Sequence, residues 1–292
     1  MKLKIAKRNF LGIKNIPLEK ADVVIVPFGL EKTVKFGKKG TTNGPKKIIG
    51  ISPNLESFDE ELEKDICKEV KIATLESAQI KKDHKNAISQ LEEIVDEVYG
   101  LRKFPLILGG EHSLTLGPVR SALKKFKKIS ILQFDAHADL CDEYEGTIYN
   151  HASVMRQCLK LKNVYLTQIA ARNISSDNNE FDFWKENQNR IKTFWAKDMK
   201  QWKIKEIISS LCDNVYLTFD LDAFDSGLMP STSTPEPGGL QWYQTMKILR
   251  KVFKEKNVVG ADVVELSPIK GFDAPDFLAA KLVYKIIGYN SR

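Results

Sequence analysis

Short apolar, β-branched runs recur along this chain, each followed by a polar cluster and then by helical patterning. That alternation limits the possible folds more than any other feature. Residues 21–26 read as a buried strand that ends at Pro27 and Gly29. Residues 31–45, rich in Lys, Gly and Thr, read as a loop ending in Gly44-Pro45. Asp83 suits the N-cap of a helix whose apolar face is Ile88, Leu91, Val95 and Val98, with Gly100 closing it. A strand is predicted at 105–108 and a helix at about 114–126. Further strands are predicted at 129–134, 164–170, 215–219 and 258–264. Trp242, Met246, Leu249 and Phe253 stripe a helix, and a last helix has Pro275 near its start and Gly288 past its end. Strands alternating with helices predict an α/β chain with a mainly parallel central sheet covered on both faces. No repeat, low-complexity tract or linker divides the sequence, so residues 1–292 are read as a single catalytic domain.

Composition removes several function classes. No apolar run reaches the ~18 residues of a membrane span, and the basic start at 1–16 lacks the apolar core of a signal peptide. Cys67, Cys141, Cys158 and Cys212 are far apart in sequence, which points away from a disulfide framework or thiolate zinc site and toward the cytoplasm. The net charge is +7, from 45 Lys and Arg against 38 Asp and Glu. The basic residues are dispersed and not interleaved with aromatics, so they read as a solvated surface, with no nucleic-acid partner and no membrane.

Ligands of open parallel sheets bind outside the carboxyl ends of the strands. The unusual polar residues fall there. His112 follows the strand at 105–108; Asp135, His137 and Asp139 follow 129–134; Asp220 and Asp222 follow 215–219; Glu265 follows 258–264. An Asp after a strand is often only a turn former or cap. Seven such groups on one sheet edge are a different matter. In an extended segment Asp135, His137 and Asp139 would share a face, as would Asp220 and Asp222, with Ala136, Ala138 and Leu221 pointing inward. Four crowded carboxylates repel one another unless a cation compensates. Imidazole with carboxylate suits manganese, iron or zinc, and six donors exceed the needs of one metal. Of the remaining histidines, His84 at a Lys-rich helix start is assigned to the surface.

Four motifs then carry a resemblance. Gly109-Gly110-Glu111-His112-Ser113, Phe134-Asp135-Ala136-His137-Ala138-Asp139, Thr218-Phe219-Asp220-Leu221-Asp222 and Asp262-Val263-Val264-Glu265-Leu266-Ser267-Pro268 resemble the ureohydrolases, the family of arginase and agmatinase. The resemblance runs from about residue 21 to 288. It implies a three-layer α/β/α fold, a homo-oligomer (trimer or hexamer) and two Mn2+ ions. Asp135 and Asp220 would bridge the ions, His112 and Asp139 would complete one site, and His137 and Asp222 the other. The stretches from Asp139 to Arg156 and from Thr234 to Leu240 look agmatinase-like. Thr147-Ile148-Tyr149-Asn150-His151 lacks the Ser and Asn with which arginases hold an α-carboxylate. The implied substrate is therefore a small cationic guanidino compound without that group: agmatine, cleaved to putrescine and urea, a step of polyamine biosynthesis. Two stretches depart from the family pattern. Ile169-Ala170-Ala171-Arg172 stands where Gly-Ile-Arg is usual, and Ser231-Thr232-Ser233 where a glycine-rich run is usual. Both lie where a substrate tail would pass.

The implied chemistry gives three residues catalytic roles. Glu265 would fork hydrogen bonds onto the guanidinium, Asp139 would pass a proton to the leaving amine, and His151 would shuttle protons to solvent. Other readings are guanidinobutyrase, arginase or formimidoylglutamase activity. A mononuclear zinc deacetylase of the same fold would lack His112 and Asp139 as ligands.

Overall fold

The computed structural model describes residues 3–33 and 39–291; positions 34–38 of the predicted loop lie outside the described residues. Eight strands form one sheet: β1 (Val23–Phe28), β2 (Ile72–Thr74), β3 (Phe104–Gly109), β4 (Ile129–Phe134), β5 (Val164–Ile169), β6 (Ile191–Phe194), β7 (Asn214–Asp220) and β8 (Asn257–Val264). Their order is β2-β1-β3-β8-β7-β4-β5-β6, and every neighbouring pair is parallel. The main helices are α1 (Gly44–Ile51), α2 (His84–Gly100), α3 (Leu116–Lys125), α4 (Val154–Leu159), α5 (Glu180–Glu186), α6 (Ile204–Ser209), α7 (Trp242–Glu255) and α8 (Ala274–Asn290).

Strand periodicity sorts the core into two layers. Val23, Ile25, Leu106, Leu108, Leu132, Phe134, Leu217 and Phe219 pack with α1, α6, α7 and α8 on one face. Val24, Val26, Ile107, Ile131 and Tyr216 pack with α2, α3 and α4 on the other. Both faces are covered, so the strands are apolar throughout rather than alternating, and the three-layer α/β/α expectation holds.

The site follows from order and register. β3, β8, β7 and β4 are consecutive in the sheet. Leu108, Val263, Phe219 and Phe134 form one row across them. Asp135 and Asp220 come one residue after that row, Glu265 two and His112 four. Side chains up to 153 positions apart in sequence are thus delivered to one edge.

Several boundaries differ from expectation. β1 runs through Pro27 to Phe28. Val23 N–H donates to Lys71, and Ile25 C=O accepts from Leu75, on the β2 side. The missing N–H of Pro27, of the same parity, therefore faces the side where β2 has already ended. Gly44-Pro45 opens α1 instead of closing a loop, with Pro in the first helical turn, where its lack of an N–H is harmless. Gly288 lies inside α8, not beyond it. A Cβ there would come within 2.9 Å of Leu62 Cδ1, so that glycine serves helix packing rather than termination. Among the described residues no helix is long and apolar enough to cross a membrane.

Candidate metal centre

β3 leads into a tight turn at Gly109-Gly110. A Cβ on Gly110 would meet Leu30 O at 2.0 Å, so the turn lies directly on the chain after β1. Glu111 N–H donates to Leu30 O at 2.7 Å, and His112 begins a short 3₁₀ turn aimed at the sheet edge.

His112 is 1% exposed. Its Nε2 lies 2.8 Å from Thr218 Oγ1, whose hydroxyl donates to Asp262 Oδ1 at 2.6 Å. Thr115 and Tyr216 hydroxyls donate to Asp262 Oδ2. With Thr218 donating onward, Nε2 carries a proton, and Nδ1 is the nitrogen turned toward the carboxylates. Nδ1 is buried and makes no hydrogen bond. Asp135 Oδ2 and Asp139 Oδ2 each lie 3.0 Å from it, and Asp220 Oδ2 lies 3.5 Å away. His137 Nδ1 lies 3.0 Å from Asp222 Oδ2 and 3.5 Å from Asp135 Oδ1.

These contacts form two compact donor groups, His112–Asp135–Asp139 and Asp135–His137–Asp222, which share Asp135. Asp220 flanks the first through its contact with His112. All six expected donors are brought together. The convergence is not that of extended chain, however. Asp139 has φ +55°, which swings its carboxylate back toward His112. Asp220 caps a 3₁₀ turn by accepting from Asp222 N–H, so it is a cap and a cluster member at once. Ala136, Ala138 and Leu221 are buried, as expected.

Charges in this cluster are out of balance without a cation. Burial and Asp135 push the Asp139 carboxyl up to about 7. Burial, Asp222 and Asp135 raise Asp220 well above the carboxylate range. Burial opposes charge on His112 and His137, yet the surrounding carboxylates hold both imidazoles well above their usual value. The protonated groups are standing in for missing positive charge. A buried imidazole nitrogen without a hydrogen bond, two oxygen-and-nitrogen donor groups and protons held in place of positive charge all fit divalent metal ions.

The cluster floors a cavity of about 320 Å³ whose walls include His151, Glu265, Tyr144, Glu180, Ser175, Asn178, Ser233 and Thr234. Glu265, just past β8, has φ +66° and is 7% exposed. Its Oε1 accepts from His112 N–H at 2.7 Å, while Oε2 is buried without a partner. Burial, then Glu111, push its carboxyl up to about 8. His151 lies below its usual imidazole value because it is buried. Its ring stands edge-on to Tyr144 at 5.5 Å.

Four features escaped the sequence reading. Glu180 is a buried carboxylate on the cavity wall, tied to Leu140 N–H and Ser175 N–H. Its signal is faint, a lone Glu opening a short helix. Glu111 sits inside a quoted motif yet had no role; it accepts from Lys32 N–H, Thr33 N–H and Ser113 Oγ. His84 is not a surface residue. Its side chain is 13% exposed, with Nε2 2.9 Å from Ser113 Oγ and 3.1 Å from Glu111 Oε1, because the first turn of α2 packs on the turn after β3. Arg172 reaches five carbonyls, those of Ala170, Asp222, Phe224, Glu236 and Pro237, and so binds the β7 loop to the 236–237 loop. Of the two family departures, Ser233 lines the main cavity. Ala171 and Arg172 line a separate aromatic hollow with Phe181, Trp184 and Trp195.

The chain is similar to known proteins in both sequence and fold. A profile described as the arginase family matches residues 21–288. The N(1)-aminopropylagmatine ureohydrolase of Synechocystis sp. is 38% identical, over 92% of this chain and 89% of its own length. The agmatinase of Pyrococcus horikoshii is 33% identical, over 97% of this chain and 96% of its own. Among solved structures, the agmatine ureohydrolase of Thermoplasma volcanium superposes with a TM-score of 0.84 at 29% identity, covering 94% of this chain and 92% of that one. The chain belongs to the arginase family and is one of its hydrolases.

Proposed function

We propose that the protein uses two Mn2+ ions to hydrolyse agmatine to putrescine and urea. The observation that carries this reading is the buried, unpartnered Oε2 of Glu265, in the same cavity as both donor groups. Its carboxyl, raised to about 8, becomes an ionised acceptor when a cationic N–H donor enters beside it. The agmatinase of Pyrococcus horikoshii supports the substrate class. The aminopropylagmatine ureohydrolase of Synechocystis sp., together with the wall carboxylate Glu180, supports a second reading in which a longer amine tail is accepted.

His112, Asp135, His137, Asp139, Asp220 and Asp222 would hold the ions, which when bound supply a water-derived nucleophile at neutral pH. Glu265 Oε2 orients the guanidinium by accepting from its N–H groups. Asp139 takes the proton released by the attacking water and delivers it to the leaving nitrogen. His151, kept neutral by burial, exchanges protons between the cavity and solvent. The sum is guanidinium plus water giving urea and an alkylammonium ion. The one-domain, homo-oligomeric (trimer or hexamer) and cytoplasmic parts of the reading rest on the continuous sheet, the family resemblance and four free cysteines.

The test is a substrate panel. Manganese-loaded protein is given agmatine, N(1)-aminopropylagmatine, guanidinobutyrate, arginine or formiminoglutamate separately. Urea is measured, or formamide for the last. Agmatine or its aminopropyl derivative should give the highest kcat/KM. Preference for a carboxylated compound would overturn the substrate assignment. One metal per chain, with deacetylase activity, would overturn the reaction.

A further inference from the structure

We infer that Thr33 is a positioning residue for His151, and that Glu111 and His84 hold Thr33 in place. This rests on the reading of His151 as the proton-transfer group. Thr33 Oγ1 lies 3.0 Å from His151 Nδ1. Thr33 is 8% exposed, so little water competes for that contact. The hydroxyl on Nδ1 and the edge-on packing with the Tyr144 ring fix the imidazole's rotation. Nε2 is then left for exchange with the cavity.

Thr33 is itself clamped. Glu111 Oε2 accepts from both Lys32 N–H and Thr33 N–H at 2.7 Å. Glu111 Oε1 accepts from Ser113 Oγ at 2.6 Å and faces His84 Nε2 at 3.1 Å. The residue after Glu111 is the metal donor His112. One turn therefore aims the donor and, through the chain at 32–33, seats the proton-transfer histidine opposite it. The link is mechanical and not a proton wire. Thr33 reaches Glu111 through its backbone N–H and His151 through its hydroxyl, so no chain of exchangeable side-chain protons joins them.

The experiment compares Thr33→Val, Thr33→Ser, His151→Asn and the Thr33→Val/His151→Asn double variant. All are full-length and manganese-loaded, with agmatine or whichever panel compound gives urea fastest. Thr33→Val should lower kcat by roughly tenfold with KM changed less than about twofold, since a misoriented acid–base group forfeits part of its contribution. Thr33→Ser should recover most of the loss. The double variant should be no slower than His151→Asn alone, because Thr33 acts only through His151. An active Thr33→Val beside an impaired His151→Asn would overturn the inference and leave the His151 reading standing. Additive losses, or loss of bound metal or thermal stability in Thr33→Val, would also overturn it by assigning Thr33 an independent or merely structural role. A fully active His151→Asn would overturn the reading of His151 itself.

Discussion

Beyond the carboxyl ends of β4, β5 and β8, three non-glycine residues have left-handed backbone: Asp139 at φ +55°, Ala170 at φ +74° and Glu265 at φ +66°. Two are site residues, and the strain each stores serves to aim a carboxylate that extended chain would send elsewhere. Ala170 is different. It occupies the position where the resembling family usually carries Gly, and its positive φ explains why. Ala bears that conformation at a cost of about 1 kcal/mol, whereas a β-branched residue would be far worse. Ala170→Val is expected to lose about 2 kcal/mol or more in urea denaturation. Ala170→Gly should stay within about 1 kcal/mol of the parent, as relief of strain offsets added chain freedom. The residue types at the cluster were legible because imidazole and carboxylate at strand ends are chemically conspicuous. Their outer partners were not. Asp262, Thr218, Thr33 and His84 act across long sequence separations or through backbone groups, and no spacing rule announces such contacts.

At the scale of elements, β1, β3, β4, β5, β7 and β8 could be read because buried parallel strands are continuous apolar runs. β2 and β6 could not. They are edge strands of three and four residues, and Lys192 and Thr193 interrupt the apolar character of β6. α5 and α6, at seven and six residues, are too short to show a helical period. The turn after β3 is where element geometry becomes chemistry. Because a Cβ on Gly110 would lie 2.0 Å from backbone at Leu30, Gly110→Ala must separate the β1 and β3 ends. It should cost about 2 kcal/mol or more and, on the proposed ligand set, weaken metal binding as His112 shifts, read by thermal melting and metal titration. Unchanged metal affinity would show that the turn does not aim the donor.

At the scale of the molecule, a basic chain of net charge +7 encloses an acidic cluster, and the two facts meet in its pH response. In the metal-free protein His112, His137, Asp139 and Asp220 all have pKa values raised above those of the unfolded chain. The stability each contributes is therefore present at low pH and lost as pH rises through its raised value, which for Asp139 is about 7. Asp135, held low by both histidines despite burial, titrates well below that window. Metal ions held by these groups, as proposed, would need them deprotonated, so binding would release protons and tighten as pH increases. The rise in Tm on adding Mn2+ should be larger at pH 8 than at pH 6, by a few degrees at fixed metal concentration. An equal rise at both values would mean that the raised groups are not the ligands. The central claim, that this sheet edge is a metal-dependent guanidino hydrolase site, is tested most directly by stripping metal with a chelator and reloading with Mn2+ while urea release from agmatine is followed. The account predicts no urea from stripped protein, with recovery that saturates at two ions per chain; undiminished urea release from the metal-free protein would contradict it.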